Sequence, residues 1–456
     1  MTVAAFAPAA AALDFALSDN GNAEYFEREV DRRLAYDHTA RQWYEFHGHH
    51  WRPDTVQHVV ERAVEAMRQR SCDAALILDP DQRKRALTWA LKSEERRKIM
   101  DLLALAQSKP TIAVDGSQWD ANPLLFAVQN GVLELDPVRF RPGLTYDCVT
   151  KIAPVAYDAS ARCPRFERFL REVFADTPEL VHYLQRCFGY CLTAITTEQT
   201  FWILFGLGSN GKSTLIEVLQ AILGPYSWTM PFPTSTWTTA ISEYQRAELP
   251  GRRFITASEV SQRGHLHEEF IKSLTGSDTV NARRIYGRPF TFTPVGKFWL
   301  RCNDRPVIKD LTHSMWRRVK LIQLLQIFTV DPTLMPTLLA EAPGILNWML
   351  EGCRLWRLEG LCEPECVTAA TAAYRDASDV LTEFLGDRCH VGEGCSIGGR
   401  ELFAAYQTWE ASRGTSPDQR LSQTVFGLRV KARFTDIGTT RKVIYGGLTL
   451  LTEERS

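Results

Sequence analysis

Residues Gly206-Leu207-Gly208-Ser209-Asn210-Gly211-Lys212-Ser213-Thr214 follow an apolar run, Phe201-Trp202-Ile203-Leu204-Phe205. After them come Leu215, Ile216, Val218, Leu219, Ile222 and Leu223 at helical spacing, stopped by Gly224-Pro225. The order is strand, glycine loop, helix. Glycines in such a loop let several backbone N–H groups turn inward on an anion, and the helix N-terminus adds its positive dipole end. Gly206, Gly208, Ser209, Asn210, Gly211, Lys212, Ser213 and Thr214 are therefore the candidate nucleotide-binding residues. Lys212 is expected to reach the β- and γ-phosphates, and the Ser213 hydroxyl to hold Mg²⁺. A glycine turn that merely joins a strand to a helix is the alternative, which the full G-x-x-x-x-G-K-S in this context disfavours.

Nucleotide hydrolysis also needs a carboxylate to orient water and positive charge where the γ-phosphate leaves. Arg252-Arg253 lead into Phe254-Ile255-Thr256-Ala257-Ser258-Glu259, a buried strand ending in an acid, and Glu259 is the candidate base. Ser258 precedes it, so a paired second acid is missing and the metal must lean on Ser213 and water. Lys297 to Cys302 is another strand, with Asn303 at its polar end as a candidate contact for the γ-phosphate or the lytic water; an ordinary turn before Asp304-Arg305-Pro306 is the plain alternative. Arg317-Arg318-Val319-Lys320-Leu321 begins one more strand, where alternation sends the two arginines to opposite faces. Arg318 is the one assigned to the nucleotide. If it completes a neighbour's site, the active form must be an oligomer. Charges at strand ends facing solvent remain the simpler account of Glu259, Arg317 and Arg318.

Residues 279–293 alternate as a hairpin around Tyr286-Gly287-Arg288, and Arg283, Arg284, Tyr286 and Arg288 cluster on it. Guanidinium groups neutralise phosphates and an aromatic ring stacks on bases, the combination that single-stranded nucleic acid calls for. A solvated hairpin would carry the same charges.

Further out, the 456 residues suggest two to four domains, and a hydrophobic fraction of 45% is ample for real cores. A net charge of −1 means that any nucleic-acid contact comes from a local patch. Eleven cysteines without a C-x-x-C pair point to buried free thiols and a reducing cytosol. Cys362, Cys366, His390 and Cys395 fit no usual zinc spacing. No stretch has the length of a membrane span, and the first twenty residues lack the marks of a signal peptide. Asn22 to about Leu34 and residues 56–107 read as helical, Asp79 and Asp81 as a loop, and His47, His49 and His50 beside an aromatic cluster as a polar turn. Residues 122–135 read as two strands about Asn130-Gly131, and 166–192 as helical. From about Asp379, three helical stretches (381–385, 399–412 and 422–430) and a hairpin from Phe434 suggest a winged-helix module; a plain helical lid would show much the same pattern.

Gly206 to Ser213, Ala257-Ser258-Glu259, Leu274-Thr275-Gly276-Ser277-Asp278, Asn281 to Gly287, Asn303 and Trp316-Arg317-Arg318 together resemble a superfamily 3 helicase of the phage and plasmid primase-helicase type, related to the poxvirus primase-helicase. The likeness is dense from about Phe201 to Leu324. It implies an α/β fold: an AAA+-like P-loop motor over residues 166–345, a helicase-associated domain over 21–165 after a flexible 1–20 segment, a helical connector at 346–378 and a winged-helix-like module at 379–456. It implies ATP and Mg²⁺ as cofactors and single-stranded DNA as partner, with movement 3′ to 5′ in a homo-oligomeric ring, usually hexameric, inside a bacterial host cytoplasm. Lys212 and Ser213 match the Walker A residues, Glu259 the Walker B acid, Asn303 the sensor and Arg318 the arginine finger, while the hairpin from Arg283 to Arg288 looks like a channel DNA grip. Priming is expected from another chain, a separate primase or polymerase. A packaging or remodelling ATPase, and a nucleotide-switched DNA-binding initiator or defence protein, are the competing readings.

Overall fold

A computed structural model describes residues 14–230, 242–258, 266–276, 278–306, 308, 310–414, 420–439 and 442–451. The architecture is mixed α/β. Its centre is a five-stranded, wholly parallel sheet built from β1 (Phe201–Phe205), β2 (Ser227–Thr229), β3 (Phe254–Ser258), β4 (Lys297–Cys302) and β5 (Val319–Gln323), in the spatial order β5-β1-β4-β3-β2. Parallel strands are joined by crossovers and covered on both faces, which is why their sequences are continuous apolar runs without alternation. Trp202, Leu204, Phe254 and Trp299 face one core with helices Pro178–Tyr190, Lys212–Leu223 and Ala342–Glu359. Phe201, Ile203, Ile255, Phe298, Leu300 and Leu321 face another with helix Glu268–Thr275, Trp316 and Tyr374. Trp202 and Trp299, partners in the β1–β4 register, stack with ring centroids 4.5 Å apart, and Phe188 stacks on Trp299 at 4.6 Å. Such pairs contribute about 0.5–1.5 kcal/mol beyond their area. They fix β1 and β4 side by side.

Before the sheet, helices Asp19–Val30, His58–Ala75 and Arg96–Ala106 pack with the inner face of a four-stranded sheet (Trp51–Pro53, Gln42–Phe46, Leu34–Asp37, Ala113–Val114), and helix Pro80–Lys92 lies against His58–Ala75. Asp79 is a helix cap and not a free loop residue: its carboxylate accepts from the Gln82 amide at 2.8 Å, satisfying a first-turn donor of helix Pro80–Lys92. The histidine stretch is a turn closed by the His47 amide on the His50 carbonyl at 2.8 Å. An antiparallel sheet follows (Leu125–Val128, Gly131–Leu135, Val138–Arg141), with Val128 and Gly131 paired so that Gln129-Asn130 form the tip.

This small sheet shares its core with the central sheet's helices, since Phe126, Val128, Leu133 and Leu135 lie in one cluster with Trp202 and Met349. The expected boundary at 345/346 falls inside helix Ala342–Glu359. That helix lies against Pro178–Tyr190 at a distance only glycine permits; a Cβ on Gly352 would stand 1.9 Å from the Gln185 carbonyl oxygen.

The C-terminal unit holds helices Val380–Arg388, Gly399–Ser412 and Gln423–Lys431 around Phe384, Tyr406 and Phe426. Its ladder joins Cys389–Gly398 to Ile444–Leu450 with a register shift between Val391 and Ser396. The first of these strands gives no sequence signal, because Gly392, Gly394 and Gly398 interrupt any alternation there. Bridges Asp436↔Tyr445 and Thr439↔Lys442 form the hairpin end.

Candidate nucleotide site and exposed hairpin

β1 delivers the chain to Gly206 at the carboxyl edge of the sheet. A Cβ on Gly206 would lie 2.6 Å from the Leu324 carbonyl oxygen, so the loop passes there only without a side chain. Gly208 (φ +110°), Ser209 (φ +50°) and Gly211 (φ +82°) then take left-handed backbone, and Gly211 hands over to the helix at Lys212. Among the described residues no side chain caps this helix. Its first internal bond is Leu215 N–H to the Gly211 carbonyl at 2.9 Å, leaving the first-turn amides for an outside acceptor.

Lys212 is 7% exposed and donates to the Gly206 carbonyl at 2.6 Å and to Asn210 Oδ1 at 2.7 Å. Burial lowers its pKa first; Cys302 opposes that and Arg301 adds to it. A buried ammonium at the positive end of a helix is a position that an anion would stabilise. Ser213 is exposed beside it and Thr214 half-buried, so the Ser213 hydroxyl is open to a cation. Among the described residues no group of three or more His, Cys, Asp or Glu side chains could hold a metal.

The neighbouring strand β4 brings one more candidate to the same edge. Cys302 pairs with Phe205, so Asn303, exposed, starts where Gly206 starts. Ser258, the last residue of β3, pairs with Arg301. Glu259 lies outside the described residues.

The loop is closed on its other side by a segment that no motif marks, since its composition is that of an ordinary apolar stretch. After β5, residues 324–328 run along the glycine loop as a strap. The Leu324 amide donates to the Phe205 carbonyl at 2.8 Å, and the Phe328 amide to the Ser209 carbonyl at 2.8 Å.

Arg317 and Arg318 sit at the opposite, amino edge. They occupy the turn after the short helix His313–Trp316, before β5 begins, so strand alternation does not govern them, yet they do point to different sides. Arg318 is 8% exposed; its Nε donates to Thr275 Oγ1 at 3.2 Å, and its Nη1 to the Ser314 carbonyl and, at 3.3 Å, the Ser314 hydroxyl. Arg317 is exposed and donates to Gln199 Oε1 at 2.5 Å. A five-residue strand is about 16 Å long, so neither reaches the glycine loop of this chain.

The hairpin is Val280–Arg283 paired with Pro289–Phe292. The Gly287 amide closes its turn on the Arg284 carbonyl at 2.8 Å. Arg283, Arg284, Ile285, Tyr286 and Arg288 are all exposed. Tyr286 holds φ +59°, uncommon for a bulky residue, and its ring is wholly in solvent. Arg284 lies over the Phe290 ring at 5.7 Å.

Two known families match parts of the chain. Residues 23–175 match the family described as "D5 N terminal like", and residues 204–318 match a family of unknown function, DUF5906. Among curated relatives, a protein of Acanthamoeba polyphaga mimivirus provisionally named a helicase is 30% identical over 295 residues, 59% of this chain and 31% of its own length. One of Invertebrate iridescent virus 3, named likewise, is 27% identical over 44% of this chain and 23% of its own length. The chain thus spans about a third or less of those relatives. Two structures of the NrS-1 C terminal region share the fold: one at TM-score 0.51 and 11% identity over 80% of this chain and 77% of that one, another at TM-score 0.50 and 11% identity over 94% and 99%. The chain therefore resembles the phage and viral primase-helicase type that its motifs indicate. Among the described residues no helix is long and apolar enough to cross a membrane.

Proposed function

We propose that the chain is the motor of an ATP-driven DNA helicase of the superfamily 3, AAA+-like type, which hydrolyses ATP with Mg²⁺ and moves on single-stranded DNA as a ring of identical copies, a hexamer being the expected form. The observation that carries this reading is the phosphate loop itself: a glycine turn into an uncapped helix, with Lys212 buried at its positive end, on the carboxyl edge of a parallel sheet that also presents Asn303.

In this account the first-turn amides and Lys212 hold the β- and γ-phosphates. Ser213 orients Mg²⁺, which supplies charge neutralisation across the phosphate oxygens when bound. Glu259 takes the proton of the attacking water, and Asn303 positions that water or the γ-phosphate. An arginine from the amino edge of a neighbouring copy completes the site. That assignment follows from distance, because both arginines lie a strand's length from their own loop; Arg318 is the motif match, and Arg317 is the one whose side chain reaches the surface. Arg283, Arg284, Tyr286 and Arg288 grip the strand, with the winged-helix-like unit at 379–456 as an accessory module. A separate primase or polymerase supplies the primers.

The test is ATP turnover with strand displacement on a duplex carrying a 3′ single-stranded tail. Displacement that needs ATP and is lost in Glu259→Gln, while that variant still binds ATP, is the expected result. ATP binding without turnover in the wild type would favour the nucleotide-switched initiator or defence protein.

A further inference from the structure

Asn210 is only 2% exposed, and its amide is fully engaged inside the protein. Its Oδ1 accepts from the Gly208 amide at 2.9 Å and from Lys212 Nζ at 2.7 Å. Its Nδ2 donates to two strap carbonyls, Leu324 and Gln326, each at 3.2 Å. Two acceptor contacts and two donor contacts use the whole capacity of a primary amide at this depth. The side chain therefore has nothing left for a phosphate oxygen. An aspartate would fill the same volume but bring no protons for the carbonyls; an alanine would remove all four contacts, leaving Lys212 only its bond to the Gly206 carbonyl.

The partners lie on two different parts of the site. One pair belongs to the phosphate loop and its lysine, the other to the strap that continues from β5, whose far end carries Arg317 and Arg318. We infer that Asn210 is a positioning residue. It sets the Lys212 ammonium in the loop and at the same time locks residues 324–328 against that loop, so that the loop and β5 are held in one register. The claim about Lys212 rests on the nucleotide reading above; the claim about the strap stands without it.

Hydrogen exchange and binding of ADP with Mg²⁺, measured on the full chain and on Asn210→Asp and Asn210→Ala, test both parts. Both variants are expected to speed exchange of the Phe328 amide by about tenfold or more, because the strap loses two donors. Asn210→Asp should weaken ADP binding by about tenfold or more and Asn210→Ala by only a few-fold, since the aspartate adds a negative charge beside Lys212. A direct phosphate ligand with no hold on the strap would instead leave Phe328 exchange unmoved in both variants, and that result overturns the inference. The wild type alone supplies a check independent of variant folding: the Gly208 amide should exchange more slowly than the Ser209 amide, and the reverse order would refute the Asn210 contact. If the wild type binds no ADP, the nucleotide reading fails by itself while Phe328 exchange still decides the strap.

Discussion

Two lysines beside the same sheet are buried with no carboxylate partner among the described residues, and they differ in which end of a helix they meet. Lys212, at the carboxyl edge, stands at the positive start of helix Lys212–Leu223. Lys297, 2% exposed at the amino edge, donates to the Thr193 carbonyl just past the negative end of helix Pro178–Tyr190 and, at 3.2 Å, to the Val295 carbonyl two residues before it. Arg253 joins it there, donating to the Leu192 carbonyl and, at 2.7 Å, to the Leu125 carbonyl. The carbonyl ends of a helix stabilise the second pair of cations, while Lys212 gains nothing from its own helix. Burial of a cation is thus no mark of a site. A cation at the positive end of a helix is the one an anion would stabilise.

The largest expected effect separates the two directly. Lys212→Ala should cut ATP turnover to roughly a thousandth of wild type or less while the chain stays folded, whereas Lys297→Met should keep turnover within a few-fold. Steady-state phosphate release checks both, and a dead but folded Lys297→Met would break the comparison. A loss of the same order is expected from Arg318→Ala, and mixing it with Lys212→Ala should restore part of the activity if the site is shared between copies. Arg317→Ala in the same mixtures decides which of the adjacent arginines reaches the neighbour.

At the amino edge the cost should appear as stability. Arg253→Ala strands two carbonyls between the N-terminal sheet and the central one and should lose about 2–4 kcal/mol in chemical denaturation. Lys297 adds a pH signature. Burial pushes its pKa down to about 7, with Arg253 acting in the same sense and Cys191 and Cys353 against it. Between about pH 7 and the ordinary lysine value, the unfolded chain holds a proton that the folded chain has released, so stability rises with pH there. The wild type minus Lys297→Met difference should climb by up to roughly 1.4 kcal/mol per pH unit across that window and be flat below it. A difference that falls with rising pH would contradict the assigned direction.

The smallest effects belong to the hairpin. Tyr286→Ala should cost about 1–3 kcal/mol in single-strand affinity, and Arg284→Ala should lower the salt slope by about 0.7. Unchanged affinity and slope in both would return the hairpin to a solvated edge.

How much of this is legible in the sequence follows from how far apart the partners lie. The glycine loop is legible because strand, glycines, lysine and helix are contiguous, and the hairpin because alternation flanks Tyr286-Gly287. The amino-edge cations are not, since Arg253 finds its carbonyls 61 and 128 residues upstream. Position alone makes Asn210 a phosphate ligand; the strap carbonyls that occupy its amide come 114 and 116 residues later. Alternation makes Arg317 and Arg318 strand residues, but the short helix before β5 sets their directions.

The most direct measurement of the central claim is the rate of ATP hydrolysis with Mg²⁺, in the presence and absence of single-stranded DNA, for the wild type and Lys212→Ala. The account predicts turnover that rises with DNA in the wild type and vanishes in the variant. A folded wild-type chain that neither binds nor hydrolyses ATP at millimolar concentration, with or without DNA, would contradict it.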